Sequence, residues 1–411
     1  MKARASRLLI DIIRLTLAGE RYSQEQLLEF LGAQGISPDG EDYLTLLSEL
    51  YSLSDSQDMA HIPAEALSAS GAYELGGESQ KEALGRLRAL FDKALMLSVV
   101  RFVRIDAELK SLSALFEAEG IDFIPLKGSV LKFYYKNPKV RTSCDIDILV
   151  REESLDECDK LLCERLGYKR GVKNAHDVAY YSPSGVHLEL HYSLMESFNS
   201  TGSEDKLKEA WDYSYAEEGY THLKRLKGEF FYLYHIAHMA KHFVNGGCGI
   251  KPYMDIAVMK STGFVDIASA DALLRECKLD TFAKVQERLC EVWFSDGTHD
   301  ELSLASEEFI FSGGVYGNFD NYIAMHSAKR GSKFKYLLSR IFLSYDRLVD
   351  VYPSLKGKKW LTPFYQVKRW TNLVFKRGAA KRSLAELKRT SAIDKEQADR
   401  AQDFMKALKL I

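Results

Sequence analysis

The chain has 411 residues, of which 46% are hydrophobic and 28% charged, and its formal net charge is −2. This length exceeds that of most single domains, so two or three domains are expected, and the composition is that of ordinary globular proteins. The near-neutral charge excludes an overall basic character of the kind that by itself indicates a nucleic-acid partner.

Neither a membrane span nor a signal peptide is predicted. No apolar run reaches the ~18 residues that would suggest a transmembrane helix. The first twenty residues have a basic head and an apolar stretch, but Asp11 and Arg14 interrupt that stretch, and an amphipathic helix is favoured. The six cysteines include no CxxC pair, which is typical of free thiols in a reducing compartment. A cytoplasmic location is therefore predicted.

The first 119 residues are predicted to be helical. Residues 25–31 and 42–51 have helical spacing of apolar side chains, and residues 67–82 are rich in Ser, Gly, Ala and Glu, which indicates a loop. A long helix is predicted from Lys81 to Glu119, with Gly120 as its C-terminal cap.

The pattern changes at Ile121 to alternating short strands and helices. Strands are predicted over 121–126, 145–150, 178–182 and 186–191, short helices over 129–135 and 155–166, and a hairpin turn at 183–185. From Glu204 onward helices dominate again. The predicted fold is α+β, with a helical N-terminal region (1–119), a small mixed-sheet core (120–203) and a helical C-terminal region (204–411).

Asp145 and Asp147 are the first candidate site residues. Residues two apart on a strand face the same side, so the two carboxylates lie side by side while Ile146, Ile148 and Val150 face a core. Such a pair is costly without a cation, and Mg²⁺ prefers oxygen ligands. On its own, an exposed acidic pair is an equally good interpretation.

Glu189 supplies a third acid. In the strand 186–191, His187, Glu189 and His191 share one face. If this strand pairs near 145–150, Glu189 completes a cluster of three carboxylates that can hold metal for phosphoryl or nucleotidyl displacement. A hairpin with a polar solvent face is the alternative.

The segment Lys127-Gly128-Ser129 follows a strand and opens a helix. Its backbone N–H groups could cradle a phosphate, Gly128 would allow close approach, and Ser129 could donate from its hydroxyl or cap the helix. Lys127 could reach a phosphate or cover the edge of the core with its stem. Arg141 could contact a phosphate with its planar fork or lie on a surface loop.

Together these residues carry a resemblance. The string GIDFIPLKGSVLKFYYKNPKVRTSCDIDILV resembles the signature of the uncharacterised bacterial nucleotidyltransferase family within the DNA polymerase β-like superfamily. VHLELHYSL is similar to the family's next motif, and HMAKHFVNGGCGIKPYMDIA and VYPSLKGKKWLTPFYQVKRW resemble its helical tail, so that the likeness spans roughly residues 100–370.

The resemblance implies transfer of a nucleotidyl group from an NTP to an acceptor with Mg²⁺ or Mn²⁺ as cofactor. By position it assigns Asp145, Asp147 and Glu189 to metal binding and catalysis, with Glu189 also a candidate base, and Gly128 and Ser129 to the triphosphate. Lys127 and Arg141 are predicted to join the nucleotide site, and His191, His238 and His242 are candidate substrate contacts. The acceptor is expected to be a small molecule or a protein rather than a nucleic acid.

Other functions stay open at this point. His187-Leu-Glu-Leu-His191 could ligate zinc in a metal-dependent hydrolase, although the zincin motif needs HExxH on a helix. A non-catalytic or toxin–antitoxin-type interaction protein could retain the fold, but three clustered acids argue against a site that binds no cation. The stripe His235, His238 and His242 is more typical of a packed, hydrogen-bonded helix face than of a metal site.

Two further segments carry charge without a defined role. Lys251 and Asp255 are spaced for an ordinary ion pair on one helix. Between Lys356 and Thr390 there are eleven Lys or Arg residues and one acid, interleaved with aromatic residues. That mixture suits an acidic partner or nucleic acid, but a solvated helix face is favoured.

Overall fold

The structure is a computed structural model that describes residues 1–194, 203–314, 342–375 and 395–411. Five α-helices come first along the chain: α1 (Lys2–Ala18), α2 (Gln24–Ala33), α3 (Glu41–Ser56), α4 (His61–Ala69) and α5 (Lys81–Glu119). The long helix α5 begins and ends at the predicted residues. Gly120 ends it in the left-handed conformation at φ 78°, which glycine adopts without the steric penalty of a Cβ.

The α+β core follows α5. Its elements are β1 (Phe123–Pro125), α6 (Gly128–Leu131), β2 (Asp145–Val150), α7 (Leu155–Lys160), β3 (Lys169–Lys173), β4 (Asp177–Tyr181) and β5 (His187–His191). The five strands form one mixed sheet in the order β1-β2-β5-β4-β3. Strands β2 and β5 are parallel neighbours at its centre, and the other pairs are antiparallel.

The two faces of this sheet differ in chemistry. Ile146, Ile148 and Val150 are fully buried on one face, as the alternation predicts, and pack with apolar side chains of α5 and α7. The opposite face carries Asp145 and Asp147. A strand of alternating type therefore presents its acids on a single side.

Helices dominate the rest of the described chain. They include α8 (Ser203–Leu207), α9 (Gly228–Val244), α10 (Lys251–Ser261), α11 (Ile267–Glu276), α12 (Asp280–Phe294), α13 (Glu301–Phe311) and three later helices over Tyr345–Val351, Thr362–Phe375 and Lys395–Ala407. One apolar core contains residues of α1, α3, α9, α10 and α12. The N-terminal and C-terminal helices thus pack together around the polar side of the sheet, and the predicted domain boundaries stay a prediction.

Several predicted elements need correction. The predicted loop at 67–82 contains the end of α4 and two short 3₁₀ turns, Ala72–Glu74 and Glu78–Gln80. The predicted helix 155–166 ends as an α-helix at Lys160 and continues as a π-helical turn over Leu161–Arg165.

Three strands were missed because their residues lack the alternation that marks a half-buried strand. Every residue of β3 is exposed at the edge of the sheet. The hairpin of β6 (Ser214–Ala216) and β7 (Lys224–Leu226) lies within the region predicted to be helical. Its strands have only three residues each, too few to show a period.

Part of the basic segment can be described. Within 356–375, Trp360 and Phe364 are largely exposed. Lys376, Arg377, Lys381 and Arg382 lie outside the described residues, so the prediction of a solvated helix face is not tested there. Among the described helices none is long and apolar enough to cross a membrane.

Candidate nucleotidyl-transfer site

The three predicted acids lie together on the polar face of the sheet. In the parallel register Asp147 stands opposite Glu189, and Asp145 stands opposite His187. Two groups of three possible ligands result, Asp145–His187–Glu189 and Asp147–Glu189–His191, and within each group the ligand atoms lie within 4.8 Å of one another. Glu189 belongs to both groups, so the three carboxylates lie together as predicted.

Asp147 is the acid whose negative charge neighbouring side chains stabilise most strongly. It is 4% exposed, and its Oδ1 accepts hydrogen bonds from Lys127 Nζ at 2.9 Å and His191 Nε2 at 2.9 Å. Burial alone would raise the pKa of Asp147, but the cation of Lys127 and the bond from His191 outweigh it and hold this pKa below its usual range. Asp147 is therefore an anion across the physiological range.

The pKa values of Asp145 and Glu189 are shifted in the opposite direction to that of Asp147. Burial, and then the charge of Asp147, raise the pKa of Asp145. The same two causes, in the same order, raise the pKa of Glu189 to about 7. Repulsion within the cluster is thus concentrated on these two carboxylates, which a divalent cation would relieve.

Lys127 occupies the turn between β1 and α6 with an unusual backbone. Its φ is 46° and ψ −126°, a conformation that residues with a Cβ seldom adopt. The hydrogen bond from Leu126 N to Asp147 O ties this turn to β2, and the Lys127 side chain reaches across to the Asp147 carboxylate. Backbone strain at a ligand-facing turn is a common property of functional sites.

Gly128 is packed too tightly to carry a side chain. A Cβ built there would lie 2.1 Å from Ser143 Oγ and 3.1 Å from Arg141 Nη1. The backbone of the β1–α6 turn consequently lies directly against the loop that leads into β2, and the close approach of a phosphate to Gly128 stays a prediction.

Ser129 is buried and does not cap α6. It is 4% exposed, and its Oγ is buried without a hydrogen-bond partner among the described residues. The N-cap of α6 is Lys127, and the Ser129 N–H donates to Leu126 O at 3.1 Å. The prediction of a helix cap is wrong, because α6 begins one residue earlier than predicted, and the assignment of Ser129 to the triphosphate stays a prediction.

Arg141 is a buried ion-pair partner. Its Nε and Nη2 donate to the two oxygens of Asp255 at 2.7 and 2.8 Å, and Tyr135 OH donates to Asp255 Oδ1 at 2.6 Å. A bidentate pair of this kind is geometrically specific. The alternative of a surface loop residue is wrong, because the Arg141 side chain is only 11% exposed.

Lys251 and Asp255 do not pair with each other as the sequence predicted. Lys251 Nζ donates instead to Asp58 Oδ2 at 2.6 Å, and Arg101 Nη1 lies 2.9 Å from both Asp58 oxygens. Asp58 has a positive φ of 52°. Sequence reasoning missed Asp58, because its partners lie 43 and 193 positions away and no local pattern marks it.

Asp145, Asp147 and several of the groups around them border one cleft of about 250 Å³ where the N-terminal helices, the core and the C-terminal helices meet, and Glu189 does not line it. The N-terminal region supplies Gln57 and Asp58 to its wall. Core residues in the wall are Lys127, Gly128, Arg141, Thr142, Ser143, Cys144, Asp145 and Asp147, and the C-terminal region adds His235, His238, Met239, His242, Cys248, Gly249, Lys251, Pro252 and Asp255. Acids, cations and imidazoles therefore share a single concave site.

The three histidines of α9 have different surroundings. His235 is buried and its Nε2 donates to Pro252 O at 3.0 Å. His238 and His242 lie on the cleft side with their Nε2 atoms 3.0 Å apart. The predicted packed, hydrogen-bonded stripe is thus present, and two of its members face the cleft that holds Asp145.

The donor set suits a divalent cation. Carboxylate oxygens are the ligands that Mg²⁺ and Mn²⁺ take, and burial together with repulsion from Asp147 raises the pKa values of Asp145 and Glu189, a cost that such an ion would offset. Lys127 already neutralises part of the charge of Asp147. The residues therefore fit a bound cation, with Asp145 and Glu189 the least compensated oxygen donors.

A mixed sheet with two acids on one strand and a third on the next, beside a glycine-containing strand–helix turn, defines an α+β nucleotidyltransferase core. The chain belongs to the family described as uncharacterised nucleotidyltransferase, whose family model matches residues 50–295, more than half of the chain. The match begins earlier and ends earlier than the predicted likeness, and 351–370 lies outside it. No curated protein matches this sequence.

Proposed function

We propose that this protein transfers a nucleotidyl group from an NTP to a small-molecule or protein acceptor in a metal-dependent reaction. The observation that carries the proposal is the convergence of Asp145, Asp147 and Glu189, with ligand atoms within 4.8 Å in each group, beside a cleft that also holds Lys127 and Gly128. Membership of a nucleotidyltransferase family supports a nucleotide as the donor.

Asp145, Asp147 and Glu189 are the residues that would hold the cation. When bound, Mg²⁺ or Mn²⁺ would neutralise triphosphate charge and stabilise the oxygens of an in-line displacement. We assign Glu189 to this role rather than to that of a base, since a bound cation would lower the pKa of about 7 that makes its carboxylate basic.

The triphosphate would lie against the β1–α6 turn. There Gly128 lets the backbone come close, and Lys127 can exchange its bond to Asp147 for one to a phosphate oxygen once a cation binds that carboxylate. Arg141 is held by Asp255 and its Nη1 donates to Thr142 O at 2.9 Å, so it would contribute positive charge rather than a free fork. The buried Ser129 Oγ has no hydrogen-bond partner among the described residues, and we keep it as a candidate contact of the triphosphate.

The acceptor would enter from the side of α9. His238 and His242 offer imidazole nitrogens in the same cleft as Asp145, and we propose that they contact the acceptor or the base of the nucleotide. His191 is 3% exposed and bonded to Asp147, so its role would be to orient that carboxylate. A concave cleft of this size suits a small molecule or one protein side chain better than a duplex.

The test compares two labels of the same NTP. The protein is incubated with each NTP labelled at the α- or the γ-phosphate, with Mg²⁺ or Mn²⁺ and a cell extract, and the labelled species are identified by mass spectrometry. Nucleotidyl transfer predicts that the α-label, and not the γ-label, appears on an acceptor while pyrophosphate is released. Transfer of the γ-label would contradict the proposal, and no transfer with any NTP would favour the non-catalytic alternative.

A further inference from the structure

His187 is the neighbour of Asp145 across the parallel strands and lies in the same group as Glu189. Its ring stacks on Tyr181 of β4, with centroids 5.0 Å apart and an angle of 18° between the planes. This contact fixes the ring beside the two carboxylates whose charge is least compensated.

The two histidines of β5 differ in how their nitrogens are satisfied. His191 Nε2 donates to Asp147 Oδ1. His187 Nε2 is buried and has no hydrogen-bond partner in the part of the chain that the structure describes. Leaving a buried polar atom unsatisfied costs about 1–3 kcal/mol, so such atoms commonly mark a ligand position.

We propose that His187 is a metal ligand, and that Asp145, His187 and Glu189 together bind a first-row transition-metal ion in preference to Mg²⁺. The inference rests on the proposed function for its biological meaning, since it refines the identity of the cofactor. The geometric basis is independent of turnover: one imidazole and two carboxylates have ligand atoms within 4.8 Å of one another.

The physical reason is the difference between nitrogen and oxygen donors. Mg²⁺ takes oxygen ligands and gains little from an imidazole, whereas affinity for nitrogen-containing sites rises from Mn²⁺ to Co²⁺. A site of three carboxylates alone would have a weaker bias of this kind. His187 is therefore the residue that would set the cation preference, and the stacked Tyr181 would hold its ring in place.

The experiment measures binding of Mg²⁺, Mn²⁺ and Co²⁺ to the full chain by calorimetry without nucleotide. His187→Gln replaces the ring nitrogens with an amide whose oxygen still reaches toward the site. We expect it to weaken Co²⁺ binding by roughly 10–100-fold, Mn²⁺ binding by less, and Mg²⁺ binding least. His222→Gln, which removes a half-buried histidine paired with Asp122 and outside both groups of possible ligands, is the matched control and should change none of the three.

A second measurement already tests the proposal in the wild-type protein, before any variant is made. Pulsed electron paramagnetic resonance of the Mn²⁺-loaded wild-type protein should show coupling to an imidazole ¹⁴N nucleus, and the coupling should disappear in His187→Gln. Equal weakening of all three cations, or a ¹⁴N coupling that is absent in the wild type or survives the substitution, would overturn the proposal. Cation binding of the predicted kind without nucleotide transfer would refute the proposed function alone.

Discussion

Lys127 Nζ and His191 Nε2 both donate to one oxygen of Asp147, each at 2.9 Å. Because of these two bonds, the three acids of the cluster differ in how far neighbouring groups neutralise their charge. Asp147 is neutralised by protein groups, whereas the pKa values of Asp145 and Glu189 are raised. The consequences of substituting the three acids should therefore differ.

Asp145→Asn should remove cation binding without destabilising the metal-free protein. Burial and repulsion from Asp147 already disfavour its charge, so a neutral isostere of the same shape relieves a cost. We expect the metal-free free energy of unfolding to stay within about 1 kcal/mol of wild type or to rise. The check is urea denaturation with and without Mn²⁺; a Mn²⁺-dependent stabilisation equal to that of wild type would rule Asp145 out as a ligand.

Lys127→Met should destabilise the fold, because it leaves a buried anion at Asp147 with His191 as its remaining side-chain donor. Breaking a buried pair costs about 3–5 kcal/mol, and the bond from His191 places this case at the lower end. NTP binding should weaken about tenfold, equivalent to about 1.4 kcal/mol.

Lys132→Met provides the control, since Lys132 is also a lysine paired with an acid, Asp106 at 2.8 Å, and is even more buried than Lys127, but does not line the cleft. It should lower stability and leave NTP affinity unchanged. Equal losses of NTP affinity in both variants would show that the effect of Lys127 is one of folding only.

Gly128→Ala should be costly because the new Cβ meets Ser143 Oγ at 2.1 Å and Arg141 Nη1 at 3.1 Å. The Arg141 head is fixed by Asp255, so we expect a loss of about 1–3 kcal/mol on urea denaturation. Combining Gly128→Ala with Ser143→Gly should restore part of it. Gly85→Ala, a helical position with nothing within 4 Å, should instead stabilise by about 1 kcal/mol; a harmless Gly128→Ala would contradict the packing.

Glu189 should make cation affinity depend on pH. With its pKa raised to about 7, the metal-free site holds a proton below that pH and must release it when a cation binds, so affinity should rise as pH increases through 7. The stability of the metal-free protein should change with pH in the opposite direction. The folded state takes up this proton near pH 7 and the unfolded state only near pH 4.5, so the free energy of unfolding should rise as pH falls between those values.

The difference between wild type and Glu189→Gln isolates this group from other titrations, such as that of buried His61. Both pH slopes should flatten in the variant, measured by calorimetry for the cation and by urea denaturation for stability. Parallel profiles for the two proteins would mean that Glu189 does not titrate in this range.

The polar face of the sheet could be predicted because its signal is local. Alternation at Ile146, Ile148 and Val150 fixes the orientation of Asp145 and Asp147, and the same rule aligns Glu189 with His187 and His191. The glycine cap at Gly120 is likewise a local signal. These predictions needed no knowledge of which distant segments meet.

The partners of the cleft cations could not be predicted in the same way. Arg141 pairs with Asp255 across 114 positions, and Lys251 pairs with Asp58 across 193. Helical spacing predicted an ion pair between Lys251 and Asp255. Asp255 instead accepts the buried bidentate hydrogen bonds of Arg141. The helix cap at Ser129 was wrongly predicted because α6 begins one residue earlier, at Gly128, with Lys127 as its N-cap.

The most direct test of the account is the rate of α-label transfer by three matched proteins: wild type, Asp145→Asn and Asp159→Asn. Asp159 of α7 accepts a hydrogen bond from Tyr180 OH on the opposite face of the same sheet. Its substitution therefore makes the same change of side chain outside the cleft. The account predicts transfer by wild type and Asp159→Asn and a loss of at least about 10²-fold in Asp145→Asn, the scale of removing one stabilising group from a transition state. Equal transfer by wild type and Asp145→Asn would contradict it.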